Sequence, residues 1–189
     1  NDPYILGGHM NDVAHLYPVF AGGRLIFWMV IRIHYTDIGG MAPGSITPDS
    51  TDVYQEGIRI PPVKAYQADK PNHAFLDVLF ANVRVPEMTL GDLQAELAAC
   101  HVGQKAVLEM VDQYGIDIFS QCTQDLIDYT ERLVRMEIST WPDGSSTFTD
   151  YLDNSGGPDS SGPVKISCTI TVQGDSFTAD FTGSDPQVR

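Results

Sequence analysis

His9 and Asp12 lie three residues apart in a glycine-bearing loop, and His34 closes an apolar run. Their types and spacing suit metal chemistry better than any others in this chain. Two imidazole nitrogens and one carboxylate can hold a divalent metal while leaving coordination positions open. Something must bring the three together, and a hairpin would. Residues 13–20 and 25–34 are rich in β-branched and aromatic side chains and flank Ala21, Gly22, Gly23 and Arg24, which reads as two antiparallel strands around a glycine turn. With a two-residue loop, Asn11 falls opposite His34, and Asp12 points to the other face. With a three-residue loop and a bulge, Asp12 falls directly opposite His34, their Cβ atoms about 4.5–5.5 Å apart. In both registers the residues meet at one end of the hairpin, and His9 can fold back to it.

The second strand is apolar on both faces, which predicts a central position in a sheet. Residues 35–57 carry Gly39, Gly40, Pro43, Gly44 and Pro48, too many breakers for a regular element, and predict a long ordered loop beside the site. A short strand over 58–60 is stopped by Pro61 and Pro62, residues 67–72 read as a surface connection, and Asn72 is placed to cap a helix over 74–81. Leu90, Leu93, Leu97, Cys100, Gln104, Val107, Val111 and Tyr114 recur at helical spacing, with Thr89 and Asp92 as the helix-start signal and Gly115 as the stop. Phe119, Cys122, Leu126, Tyr129, Leu133 and Met136 repeat the period, so the two helices are expected to pack along these stripes as an antiparallel pair and to supply most of the buried apolar surface. A strand over 147–153, a flexible loop over 154–162 and a hairpin of 164–172 with 176–181 complete the chain. The expected class is α+β, with antiparallel β-hairpins flanking an antiparallel helical hairpin. The regions are 1–71, carrying the site, the helical 72–140 and the C-terminal β 141–189. With no starting methionine or leader, the chain reads as an internal fragment of a larger subunit.

Composition limits what else this chain can be. Its 189 residues are 42% hydrophobic, enough for one ordinary core, and carry a formal net charge of −14. Eleven Lys and Arg form no basic run, which excludes nucleic acid and an anionic membrane surface as partners. The longest apolar stretch, 25–33, is interrupted by Arg32 and falls short of the roughly 18–20 residues of a membrane helix. Cys100, Cys122 and Cys168 fit neither a metal knuckle nor a disulfide framework and read as reduced thiols of a cytoplasmic protein. There is no Walker loop, no dinucleotide fingerprint and no nucleophile elbow. Ser45 has no partnering base, and His15, His73 and His101 read as surface or packed imidazoles.

Several segments together carry a resemblance to a known family. They are Asn1, Asp2, Pro3 and Tyr4; Gly7, Gly8, His9, Met10, Asn11, Asp12 and Val13; Pro18, Val19 and Phe20; the run from His34 through Asp37, Gly39 and Gly40 to Ser45; Tyr54 through Ile60 to Pro61 and Pro62; and Asp180, Phe181, Thr182, Gly183 and Ser184. In this order the chain resembles the hydantoinase B / oxoprolinase family, which includes the metal-bearing subunits of acetone and acetophenone carboxylases. The resemblance implies an ATP-linked, hetero-oligomeric enzyme in which a hydantoinase A-type partner binds ATP and magnesium and phosphorylates the substrate, while this subunit handles a carbonyl or lactam. It places the carboxylase branch's metal ligands on His9, Asp12 and His34, for zinc, manganese or iron, with Tyr35 and Asp37 as candidates to orient His34 or substrate. The chain departs from the family in that Gly8 adjoins His9 directly, with an extra residue between Tyr4 and Gly7. Two activities compete: carboxylation of a ketone with bicarbonate, and hydrolysis of a cyclic amide. Tyr35, standing where hydrolytic members often carry a second histidine, favours carboxylation. A metal-free structural or assembly subunit is the alternative outside enzymology.

Overall fold

A computed structural model describes residues 1–5, 8–156 and 162–188. Gly7, central to the departure noted above, and part of the loop expected over 154–162 lie outside the described residues, as does Arg189. The chain divides into two compact units, Asn1–Ile116 and Asp117–Arg189.

In the first unit, strands β1 (Asp12–Ala21) and β2 (Arg24–His34) pair antiparallel around Gly22 and Gly23. Both glycines have φ in the left-handed region, +58° and +77°, as the two central residues of a mirror-image hairpin turn require. The register shifts between Val19 and Phe20, and this bulge sets Asp12 opposite His34. Among the described residues β2 pairs only with β1, so it is not the central strand expected of it. Its inner positions are half-buried while Trp28 and Val30, like Leu16 on β1, stay exposed.

Helix α3 (Pro86–Tyr114) packs on the hairpin's inner face. Its buried stripe is Thr89, Leu93, Glu96, Cys100 and Val107. Gly103 comes close against Met29 of β2, where a Cβ would stand 2.7 Å from the sulfur. The stripe was expected to face a second helix, but the hairpin covers it instead. The helix also starts earlier than Thr89: Pro86 opens it, a position where the missing N–H costs nothing, and the buried Thr89 hydroxyl donates back to the Val85 carbonyl.

The core centres on Met10, Val13, Tyr35, Ile38, Ile60, Leu79 and Val83, the last two supplied by or just after helix α2 (His73–Ala81). Asn72 precedes α2, yet its side chain donates to the Lys64 carbonyl rather than capping the helix. The expected strand at 58–60 does not form. Ile58 N–H pairs with the Ile38 carbonyl and Ile60 N–H with the Asn1 side chain, so loop and side-chain partners replace a ladder. A one-turn helix α1 (Val53–Glu56) and a short hairpin, β3 (Tyr66–Gln67) with β4 (Lys70–Pro71), complete the unit. That hairpin occupies the expected surface connection, turning on Ala68 and Asp69, both at positive φ.

The loop after β2 is held by one ionic node. Asp37, 2% exposed, accepts the amides of Gly39, Gly44 and Arg84 and the Arg84 guanidinium. Arg84 also donates to the carbonyls of Gly39, Gly40 and Ala42. Gly40 is needed here because a Cβ would stand 2.5 Å from the Gln55 carbonyl, at φ +83°.

The second unit holds α4 (Ile116–Ile138) from its second residue onward and a three-stranded antiparallel sheet, β5 (Gly144–Leu152), β6 (Val164–Gln173) and β7 (Ser176–Asp180), in that order. Hydroxyl pairs Ser145 with Thr171, Thr147 with Thr169 and Thr149 with Ser167 bridge β5 and β6. No residue of α4 is buried, and Leu126, Ile127, Leu133 and Met136 are exposed, so this helix does not supply the buried surface expected of it. The three cysteines are free thiols. Among the described residues no helix is long and apolar enough to cross a membrane.

Burial opposes the charged form of Asp37, but the Arg84, Gly39 and Gly44 amides and the Arg84 guanidinium outweigh it and hold the carboxyl below its usual value. Such a group stabilises the fold above the unfolded carboxyl pKa and loses that contribution as pH falls through the folded one. Removing one partner of a buried pair strands the rest, so Asp37→Ala is expected to cost about 3 kcal/mol in urea unfolding. Asp37→Asn is expected to flatten the loss of stability on acidification that the native chain shows.

Candidate functional site

The site forms where β1 begins and β2 ends. The pairing of Asp12 with His34 puts both side chains on the hairpin's outer face, opposite the face that α3 covers. His9 folds back over this end through the loop. Its ring centroid lies 4.8 Å from that of His34, and its Nδ1 lies 3.6 Å from Asp12 Oδ2. Two donors bound at about 2.1 Å to one tetrahedral ion stand roughly 3.4 Å apart, so the His9 and Asp12 atoms are near ligand separation. Gly8, at φ +99°, lets the loop pass over Asp12, and a Cβ there would meet the carboxylate at 3.0 Å. As the side chains lie, no group of three His, Cys, Asp or Glu among the described residues surrounds a single ion position. The backbone brings the three residues together, while the exposed His9 and His34 have room to turn.

Asn11 fixes the frame behind this cluster. It is 1% exposed; its carbonyl accepts the Tyr35 amide, and its side-chain amide donates to the carbonyls of Tyr35 and Gly44. These bonds extend the ladder one step past the Asp12 and His34 pair and tie it to the loop. A cleft of about 300 Å³ opens beside His9, lined by Asn11, Ser45, Thr47, Ser50 and Glu56. Ser45 is no free nucleophile: its hydroxyl donates to the Gly39 carbonyl and accepts the Ile38 amide, both at 2.7 Å.

The hydrogen bonds of Tyr35 and Asp37 go to partners other than His34. Asp37 is occupied by Arg84 and the loop amides, and the Tyr35 hydroxyl donates to Glu96 on α3 at 2.8 Å, on the inner face. Adjacent strand residues point to opposite faces, so Tyr35 turns away where His34 turns out. Spacing also does not single out the buried Glu96, with His15 Nδ1 3.1 Å from its Oε2. A signal is nevertheless present: Glu96 falls three residues after Leu93 and four before Cys100, a charged residue on the apolar stripe.

Asn11→Ala removes the side-chain donor to two carbonyls at this end of the hairpin. It is expected to destabilise the chain by about 1–3 kcal/mol, measured by chemical denaturation, and to broaden the resonances of His9 and His34.

Several known proteins are similar to this chain along its length. The beta chain of the caprolactamase of Pseudomonas jessenii is 37% identical over 188 residues, covering all of this chain and 32% of that protein. The B component of a putative D-/L-hydantoinase from Pseudomonas sp. strain NS671 is 36% identical over 193 residues, again with 32% of its length covered. The acetophenone carboxylase delta subunit of Aromatoleum aromaticum is 26% identical over 193 residues, with 27% of its length covered. The crystal structure of the ATP-dependent caprolactamase from P. jessenii superposes with a TM-score of 0.92 at 35% identity, over all of this chain and 32% of that one. The chain thus spans about a third of the length of the caprolactamase and hydantoinase relatives it matches. With the Hydantoinase B/oxoprolinase profile matching residues 1–189 from end to end, this chain belongs to the hydantoinase B/oxoprolinase family.

Proposed function

We propose that this chain is the metal-bearing part of a B-type subunit in an ATP-dependent enzyme that opens a cyclic amide. The observation that carries the reading is the convergence of His9, Asp12 and His34 at one exposed hairpin end beside a cleft. The donor set fits a zinc, manganese or iron ion, and such an ion would supply Lewis acidity toward a carbonyl oxygen. The chain's own residues do the rest. The Asp12 and His34 pairing holds two donors in register, Gly8 gives His9 its approach, and Asn11 keeps the hairpin end closed on the loop that walls the cleft.

Hydrolysis is preferred over carboxylation for two reasons. The relatives at 37% and 36% identity carry amide-opening names, whereas the carboxylase relative stands at 26%. Tyr35, which favoured carboxylation on sequence grounds, points at Glu96 and away from the cleft, so its identity says nothing about the electrophile. Ketone carboxylation with bicarbonate is the second reading, supported by the carboxylase relative. A nucleotide-binding A-type subunit is the expected partner, since nothing here resembles a phosphate-binding loop and the relatives are named as one component of a larger assembly. Free thiols support a reducing, cytoplasmic setting.

The purified complex is expected to contain one transition metal ion per B-type subunit, and His34→Ala to lose it together with turnover. Metal analysis with unchanged content in His34→Ala would refute the ligand set. In assays with ATP, lactams, hydantoins or oxoproline are expected to turn over without bicarbonate; a strict bicarbonate requirement with ketones would decide for the second reading.

A further inference from the structure

Inside the first unit, on the face opposite Asp12 and His34, a carboxyl group has one oxygen served twice and the other not at all. The Glu96 side chain is 1% exposed. Its Oε2 accepts the Tyr35 hydroxyl at 2.8 Å and lies 3.1 Å from His15 Nδ1, while Oε1 is buried with no hydrogen-bond partner. An ionised carboxylate would leave a buried charge with an unsatisfied oxygen, and an imidazolium would bury a second charge. One proton between Glu96 Oε2 and His15 Nδ1 leaves both groups neutral, so that the unpartnered Oε1 belongs to an uncharged carboxyl. The carboxyl donates to a neutral imidazole, and the same oxygen still accepts from Tyr35.

We propose that Glu96 is a positioning residue: it shares one proton with His15, takes the Tyr35 hydroxyl, and thereby locks α3 to the end of β2 that carries His34. Tyr35 transmits the lock. It is fully buried and follows His34 directly, and both its amide and its carbonyl are held by Asn11. The importance of this lock for the site rests on the metal reading above; the shared proton does not.

The surroundings agree. Burial pushes the Glu96 carboxyl up to about 7, with Asp92 adding to it and the Tyr35 hydroxyl opposing. Burial pulls the His15 imidazole down. The titratable groups facing the pair are Asp92 and Cys100 on α3, Tyr35 after β2 and the α-amino group of Asn1, with Tyr66 on β3 facing Tyr35. Because the folded carboxyl binds its proton more tightly than the unfolded one, this stabilisation is complete below the ordinary carboxylate range and is lost as pH rises through about 7. His15 contributes with the opposite sign: its preference for the neutral form stabilises the fold above the ordinary imidazole value and is lost as pH falls through the depressed one.

The test compares the intact complex with its Glu96→Gln and Glu96→Ala variants. Thermal midpoints are followed from about pH 5.5 to about pH 8.5, and zinc retention is titrated with a chelator. The wild-type midpoint is expected to fall as pH rises toward about 7 and to level off above it, and that of Glu96→Gln to lose this fall and keep only the opposite slope of His15. Glutamine keeps an acceptor for Tyr35 and offers a neutral group to His15. Glu96→Gln is expected to retain zinc as the wild type does, and Glu96→Ala to hold it about tenfold more weakly. A wild-type pH slope in Glu96→Gln overturns the shared proton, and undiminished zinc affinity in Glu96→Ala overturns the positioning role. A wild type that binds no metal overturns the function proposed above, while the slope and its loss in Glu96→Gln still decide the shared proton.

Discussion

The ionic node between Asp37 and Arg84 is the constraint on which the first unit depends. A loop with this many glycines and prolines has no ladder to satisfy its backbone, and its amides and carbonyls must be paired some other way. One carboxylate collects three amides and a guanidinium, and that guanidinium returns donors to three carbonyls of the same loop. The loop therefore closes against the hairpin end as an ordered wall rather than as a mobile strap. The fork geometry of arginine suits this role, since a lysine could not serve so many acceptors in one plane.

From that node the organisation runs outward on two faces of one hairpin. The inner face meets α3 through packed apolar side chains and the Glu96 cluster, which fixes β2 in depth and angle. The outer face carries Asp12 and His34, with His9 brought over by the loop. Strand periodicity alone separates the two jobs: neighbours alternate between holding the fold and facing solvent. Tyr35 and His34 show the division most plainly, adjacent in sequence but with different work.

Much of this is legible in the residues. The Gly22 and Gly23 turn and the apolar alternation mark the hairpin, and the pairing of Asp12 with His34 is one of the two registers expected, reached here by a two-residue turn with a bulge inside β2 rather than by a three-residue loop. Both long helices are legible from their periods and from Gly115. Their packing partners are not, because an apolar stripe states that something covers it without stating what. Arg84 lies 47 residues from Asp37, and no local pattern joins them. The resemblance makes Asp37 a candidate to orient His34 or substrate, whereas its hydrogen bonds go to Arg84 and the loop amides. Glu96 is masked by the apolar residues of its stripe, and Ala68 and Asp69 turn a hairpin at residues that seldom take positive φ.

The most direct measurement is anomalous X-ray scattering from crystals of the intact complex, collected across the absorption edges of zinc, iron and manganese. A single peak about 2.0–2.2 Å from a nitrogen of His9, a nitrogen of His34 and a carboxylate oxygen of Asp12 is the predicted result. A metal peak elsewhere, with these three side chains bonded only to protein groups, would contradict the account.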